Sequence, residues 1–121
     1  MSAAEVDQVL AAAGENVRSI AVGTRELVRS VLPAGVIETV DGSDIGYGWT
    51  RGYKGLICVI SLYARWVNLV LPDGLGLPDP TGLLQGGGQR HRFVRIAALE
   101  DLGRPGLREL LQAAVDAHPR P

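Results

Sequence analysis

The spacing of apolar residues changes at residue 36, and this change limits the folds open to the chain more than any other feature. Before it, apolar side chains recur at steps of three and four, which predicts two helices. The first ends at Gly14 and the second, over residues 17–31, ends before Pro33. After residue 36 apolar and polar residues alternate, as in strands, and helical spacing returns over residues 107–115.

Five strands are predicted between the helices. They cover residues 36–40, 45–49, 56–63, 66–71 and 93–97, and a turn at residues 50–55 joins the second to the third. The third strand is apolar on both faces, which indicates a central place in the sheet. Short connections favour an antiparallel meander. With helices at both ends, the chain is predicted to be an α+β domain.

Length and charge bound what this domain does. Its 121 residues suffice for one core, so we predict a single domain over residues 1–121. Twelve basic against 13 acidic residues argue against a dedicated nucleic-acid binder. The chain shows neither a signal peptide nor the roughly 18 apolar residues of a membrane span, and we expect a soluble cytoplasmic protein. The one cysteine, Cys58, lies in an apolar run and is interpreted as a buried thiol.

The connection over residues 72–92 is unusually long. Nine of its 21 residues are Gly or Pro, and connections beyond about 12–15 residues are uncommon unless they are functional or disordered. Its leucines favour an ordered loop packed on the sheet. Asp79 and Pro80 predict a one-turn helix that ends by Gly86.

The end of this loop is the main candidate site. Three consecutive glycines allow backbone N–H groups to face an anion, and the neighbouring guanidiniums add charge. The predicted contacts are Gly86, Gly87, Gly88, Gln89, Arg90 and Arg92. The sequence context is neither a phosphate-binding P-loop nor a Rossmann turn. The alternative is a flexible turn whose arginines are solvated or pair with the domain's own carboxylates.

The aromatic strands are a second candidate region. In the second strand Tyr47 and Trp49 share one face, and Gly46 and Gly48 leave the other face bare. A bare face accepts a ligand, a neighbouring chain or a packed helix, and all three remain open. Tyr47, Trp66 and Asn68 complete the predicted ligand-binding set.

Signatures of metal or nucleophilic chemistry are absent from the sequence. His91 and His118 stand alone, and the chain has no Cys-x-x-Cys pair and no nucleophile elbow. We therefore expect a protein that is not an enzyme and that needs no cofactor.

Several short segments resemble the YdhG-like domain family, whose function is unknown. They lie within residues 4–117 and are Ile45-Gly46-Tyr47-Gly48, Val67-Asn68-Leu69, Leu77-Pro78-Asp79-Pro80, Leu83-Leu84-Gln85-Gly86 and Arg92 to Ile96. The resemblance implies the fold shared by frataxin and YjbR-like proteins, with the terminal helices on one face of an antiparallel sheet. The chain departs from it at Gln89, where the family often has lysine, and at Phe93, where it often has histidine.

The sequence thus predicts a non-catalytic binding module for an anionic small ligand or a protein partner. The resemblance adds one alternative, a frataxin-like iron chaperone that would bind iron through Glu5, Asp7 and Glu15. The other alternative is self-association as a homodimer through the face of Gly46 and Gly48.

Overall fold

The structure is a computed structural model that describes residues 2–52 and 55–121. Its helices are α1 (Ser2–Ala12), α2 (Glu15–Val31) and α3 (Leu107–Asp116), with a short 3-10 helix at Leu99–Gly103. Its strands are β1 (Ile37–Asp41), β2 (Asp44–Gly48), β3 (Leu56–Leu62), β4 (Val67–Leu71) and β5 (Arg92–Ile96). The predicted α+β class is confirmed. The turn predicted at residues 50–55 includes residues 53 and 54, which lie outside the described part.

The strands form one antiparallel meander in the order β1-β2-β3-β4-β5, so β3 is central as predicted. Residues paired across neighbouring strands lie on the same face of the sheet. One row of such pairs carries an apolar side chain on every strand: Val40, Ile45, Ile60, Leu69 and Val94. Four of these five side chains are buried in the main hydrophobic core, and Val40 packs against it.

The helices cover the core face of the sheet. The side of α2 that packs inward is buried at Val17, Ile20, Ala21, Thr24 and Val28. That of α3 is buried at Leu107, Leu110, Leu111 and Ala114. Both helices contact β3, and α2 also contacts β4, so the C-terminal helix packs on the same face as the N-terminal pair, as predicted. No helix in the described ranges is long and apolar enough to cross a membrane.

Arg18 stabilises the junction between α1 and α2. Its Nε donates to the carbonyl of Leu10 at 2.8 Å, and its Nη2 donates to the carbonyl of Ala13 at 2.8 Å. The last turn of α1 has no basic residue of its own. A side chain from the next helix therefore satisfies the free carbonyls at its C-terminal end.

Residues 72–92 lead from β4 to β5 and pair with β5 at Gln85. The carboxylate of Asp79 accepts hydrogen bonds from the backbone N–H groups of Leu83 (2.8 Å) and Leu84 (2.9 Å). The one-turn helix predicted here is wrong, because the chain makes only a turn after Asp79 and then extends to pair Gln85 with Phe93. The Gln85–Phe93 pair closes the segment between them as a hairpin loop.

The bare face of β2 points away from the helices. Tyr47 contacts Glu38 on the helix side of the sheet, so Gly46 and Gly48 lie on the opposite side. Of the three explanations of these glycines, helix packing is therefore wrong. Position 48 requires glycine for a local reason, because a Cβ atom there would overlap the backbone of Gly55 in the β2–β3 connection.

Candidate functional site

The sheet face opposite the helices, which we call the open face, combines a polar and an apolar row on β2 to β5. The polar row is Asp44, Ser61, Asn68 and Arg95. The adjoining row is Gly46, Val59, Val70 and Phe93. The open face thus offers charge and hydrogen-bonding groups beside a patch of apolar surface.

Trp66 lies at the end of the open face beneath an arginine. The guanidinium carbon of Arg95 is 4.1 Å from the centre of the Trp66 ring, and the centre of the Tyr63 ring is 6.1 Å from it. A cation–π contact at an exposed site contributes about 0.5–1 kcal/mol. Because Arg95 is exposed and none of the ion pairs within the described residues includes it, its charge is available to a ligand.

Two buried polar atoms on this face have no hydrogen-bond partner in the described structure. They are Oδ1 of Asn68, a residue only 8% exposed, and Nε1 of Trp66. By contrast, the other indole, that of Trp49, donates to the carbonyl of His118 at 2.7 Å. An unsatisfied buried polar group costs about 1–3 kcal/mol, so each such group calls for an explanation.

The two atoms are chemically complementary. Nε1 of Trp66 can only donate a hydrogen bond, and Oδ1 of Asn68 can only accept one. Asn68 lies on β4 and Trp66 immediately precedes that strand, two positions away, and Arg95 contacts both residues on the open face. A molecule seated between them would satisfy both atoms if it carried an acceptor and a donor.

The glycine turn adjoins the open face. Gly86 has φ 117°, a conformation that favours glycine, and a Cβ atom there would lie 3.5 Å from the ring of Phe93. Gly87 and Gly88 are exposed beside it, as is Gln89. The structure therefore places Gly86, the first of the predicted glycines, beside Phe93 of the open face.

The loop arginines are already engaged. Nη1 of Arg92 donates to the carbonyls of Gly88 (2.5 Å) and His91 (2.7 Å), which holds the hairpin loop together. Arg90 pairs with Asp73 at 3.1 Å. For these two side chains the geometry matches the alternative interpretation, in which arginines of the loop bind groups of the domain itself.

Tyr47 lies on the other side of the sheet from Trp66 and Asn68. Its hydroxyl donates to Oε2 of Glu38 at 2.6 Å, and Arg25 donates to both oxygens of the same carboxylate at 2.8 and 2.9 Å. Burial, and then the hydrogen bond to Glu38, raise the pKa of Tyr47. We call these three residues the Arg25–Glu38–Tyr47 cluster.

The carboxylates predicted to bind iron do not form a metal-binding cluster in the described part of the chain. Glu5, Asp7 and Glu15 are exposed on α1 and at the start of α2. Within the described residues, no three His, Cys, Asp or Glu side chains lie close enough together to hold a metal ion.

Arg95 is the residue of the open face that the sequence prediction missed. It lies in the last predicted strand, residues 93–97, whose alternation places it on one face with Phe93. What the sequence did not reveal was that this face is the open one.

Comparison of the chain with protein-family models, with curated proteins and with solved structures found no match.

Proposed function

We propose that the chain is a non-catalytic binding domain that holds a small anionic ligand on its open face. The observation that carries this proposal is the pair of buried, unpartnered atoms, Oδ1 of Asn68 and Nε1 of Trp66, beneath the exposed charge of Arg95. A bound ligand would recover the hydrogen bonds that these atoms lack.

The chemistry of the face defines the ligand. Arg95 and the indole N–H of Trp66 donate to anionic oxygens, while Asn68 accepts from a hydroxyl or amine. The apolar row beside them, which includes Val70 and Phe93, takes an apolar group. The ligand is thus a carboxylate with an adjacent hydroxyl or amine and an apolar body. To admit it, Arg95 must leave the ring of Trp66, a contact worth only about 0.5–1 kcal/mol.

A matched pair of carboxylates tests the proposal. 3-Phenyllactate carries the carboxylate, hydroxyl and ring that the face fits, and 3-phenylpropionate lacks only the hydroxyl. We expect both to shift the indole N–H resonance of Trp66 in a ¹⁵N–¹H spectrum, with phenyllactate binding about 2- to 10-fold more tightly, since one hydrogen bond contributes about 0.5–1.5 kcal/mol. The resonance of Trp49, which is bonded to His118, is the internal reference.

Asn68→Leu is the decisive variant. It removes an unsatisfied buried acceptor, so we expect it to raise the free energy of unfolding by about 1 kcal/mol while abolishing the preference for the hydroxyl. Arg95→Gln should weaken both ligands, whereas the control Arg108→Gln, on the exposed side of α3, should weaken neither. An unchanged preference in the leucine variant, or no response of Trp66 to either compound, would contradict the proposal.

The proposal also includes a YdhG-like family, a cytoplasmic location and the absence of catalysis. A meander with its terminal helices on one face supports a YdhG-like, frataxin-like domain. A single buried thiol suits the reducing cytoplasm. Burial raises the pKa of Cys58 to about 12, which supports a role without nucleophilic catalysis by this thiol.

Self-association is the second candidate use of the open face. It is favoured by a hollow of about 310 Å³ over Gly46, bordered by Thr39, Leu56 and Val59. Sedimentation velocity over a concentration series tests it, because the fraction of dimer would rise with protein concentration even without added carboxylate.

The frataxin-like alternative has no supporting cluster of metal ligands in the described residues. A ferrous titration of Glu5→Gln and Asp7→Asn variants tests it directly.

A further inference from the structure

A groove runs between the C-terminal end of α2 and the edge strand β1, and we call it the α2–β1 groove. It has a volume of about 660 Å³, within the range of small-molecule sites. Its charged and hydroxyl-bearing lining residues are Arg29, Glu38, Tyr47 and Arg51, and the segment 32–37 completes the wall. Trp66, Asn68 and Arg95 are absent from this lining.

Glu38 and Tyr47 form the floor of the groove, and Arg25 holds Glu38 from behind the lining. Burial alone would raise the pKa of Glu38, but the hydrogen bonds from Arg25 and Tyr47 and the charges of Arg25 and Arg29 hold it below its ordinary value. Glu38 is therefore ionised, and its charge balances that of Arg25. Because Oε1 accepts from Arg25 and Oε2 accepts from both partners, the floor is complete without a ligand.

Two further arginines leave the groove positively charged. Arg29 and Arg51 are exposed, and neither forms an ion pair with the part of the chain that the structure describes. Arg29 lines the groove together with Glu38, and its charge helps to lower the pKa of that carboxyl. Glu38, already balanced by Arg25, is the only carboxylate among the described lining residues, so two positive charges remain uncompensated.

We propose that the α2–β1 groove binds a small dianion through Arg29 and Arg51, and that its ligand carries a phosphate monoester group. A guanidinium presents parallel N–H donors that match two oxygens of a phosphate. Two guanidiniums match its two negative charges at neutral pH. Tyr47 and Glu38 shape the floor and make no transfer to the ligand, because both are held in the cluster.

This inference is independent of the function proposed for the open face. Trp66, Asn68 and Arg95 do not line the groove, and Tyr47 and Glu38 lie on the helix side of the sheet. Arg51 borders both the groove and the hollow over Gly46, but it is not part of the site proposed at Trp66 and Asn68. A variant that disrupts one site should leave the other intact. The response of the Trp66 indole to phenyllactate therefore serves as a control for the groove variants, and failure of either proposal is distinguishable from failure of the other.

Glucose 6-phosphate, with glucose as its neutral counterpart, is the test ligand. Binding is followed at constant ionic strength by the backbone amides of Gly35 and Ile37, which line the groove. We expect saturable shifts with glucose 6-phosphate, weaker ones with inorganic phosphate and none with glucose. The double variant Arg29→Gln/Arg51→Gln should lose at least about tenfold in affinity, since each charged hydrogen bond contributes strongly.

Arg65→Gln is the matched control. Arg65 is also exposed, but it follows β3 at the opposite end of the sheet from Arg51, so its loss should leave the affinity unchanged. Circular dichroism establishes that each variant is folded. Full affinity in the double variant, an equal loss in Arg65→Gln, or no saturable binding to the wild-type chain would overturn the proposal.

Discussion

The Arg25–Glu38–Tyr47 cluster is the clearest case in which single residues gain their properties from the fold. The side chains of Arg25 and Glu38 are 20% and 12% exposed, and Tyr47 is 1% exposed. Breaking such a pair by removing one partner leaves the other charge poorly compensated, which is far more destabilising than losing a surface ion pair. Alternation along β1 and β2 determines the sheet faces on which Glu38 and Tyr47 lie, and helical spacing determines the side of α2 on which Arg25 lies. Whether the three side chains meet depends on how α2 packs on the sheet.

Glu38→Gln should lower the free energy of unfolding at pH 7 by about 2–3 kcal/mol, because Arg25 then lacks its counter-charge. The folded-state pKa of Glu38 lies below the ordinary 4.5, so the ionised carboxylate stabilises the fold above that pH. As the pH falls through the folded-state pKa, this contribution disappears. Urea denaturation should therefore show the gap between wild type and variant shrinking from pH 7 to about pH 3.

The control for this comparison is Glu109→Gln on the exposed side of α3. Its unfolding free energy should follow the wild type at both pH values. A gap between wild type and Glu38→Gln that is equally wide at neutral and acid pH would show that the carboxylate does not act through its charge.

At the scale of elements, the pairing of β2 with β3 depends more on Gly48 than on Gly46. The register shifts between Tyr47 and Gly48, and a Cβ atom at Gly48 would overlap backbone atoms of Gly55. At Gly46 the nearest atoms would be side-chain atoms of Leu56 and Thr39, each at 3.1 Å. Side chains adjust to such a contact more easily than backbone does.

Gly48→Ala should therefore destabilise the protein by about 2–3 kcal/mol, and Gly46→Ala by less than about 1 kcal/mol. Chemical denaturation of both variants measures the difference. Equal losses would mean that the β2–β3 connection moves away from the strand without resistance.

The elements were predictable where their signal is local. The apolar spacing of α2 and the two-sided apolar character of β3 lie within a few residues, and both elements were found. The face on which Gly46 lies and the partner of Arg90 depend on distant parts of the chain. The 3-10 helix at Leu99–Gly103 was missed because one short turn has no periodicity to detect.

The candidate site was likewise predictable only where the signal lies in the local sequence. Trp66 and Asn68 were identified, and the structure places both beside Arg95 on one face. Arg90 and Arg92 were interpreted as ligand contacts because their charge is visible in the sequence. Their engagement by Asp73 and by the loop's own carbonyls is visible only once the chain has folded back on itself.

At the scale of the whole molecule, Asp73 joins the hairpin loop to the C-terminal end of the chain. One carboxylate oxygen lies 3.1 Å from Arg90, and the other lies 3.1 Å from Nε2 of His118. The Asp73 side chain is 43% exposed, so each contact contributes little to overall stability. Its effect is to restrain a surface loop against the body of the domain.

Asp73→Ala should accordingly lower the free energy of unfolding by less than about 1 kcal/mol, yet speed tryptic cleavage after Arg90 several-fold, because the loop opens more often. Limited proteolysis with mass spectrometry measures the cleavage. Asp116→Ala, which removes an exposed carboxylate bonded to Gln112 within α3, is the control and should cleave like the wild type. A cleavage rate unaffected by the loss of Asp73 would contradict this role.

The order of the strands in space repeats their order along the chain, and this has a kinetic consequence. Each strand pairs with its sequence neighbour, so the sheet can grow one hairpin at a time with little loop-closure entropy at most steps. The docking of α3 is different: Arg108 meets Ser30 across 78 positions of the chain. The sheet can therefore assemble during synthesis as each strand emerges, whereas the docking of α3 must wait until residues 107–116 have been made.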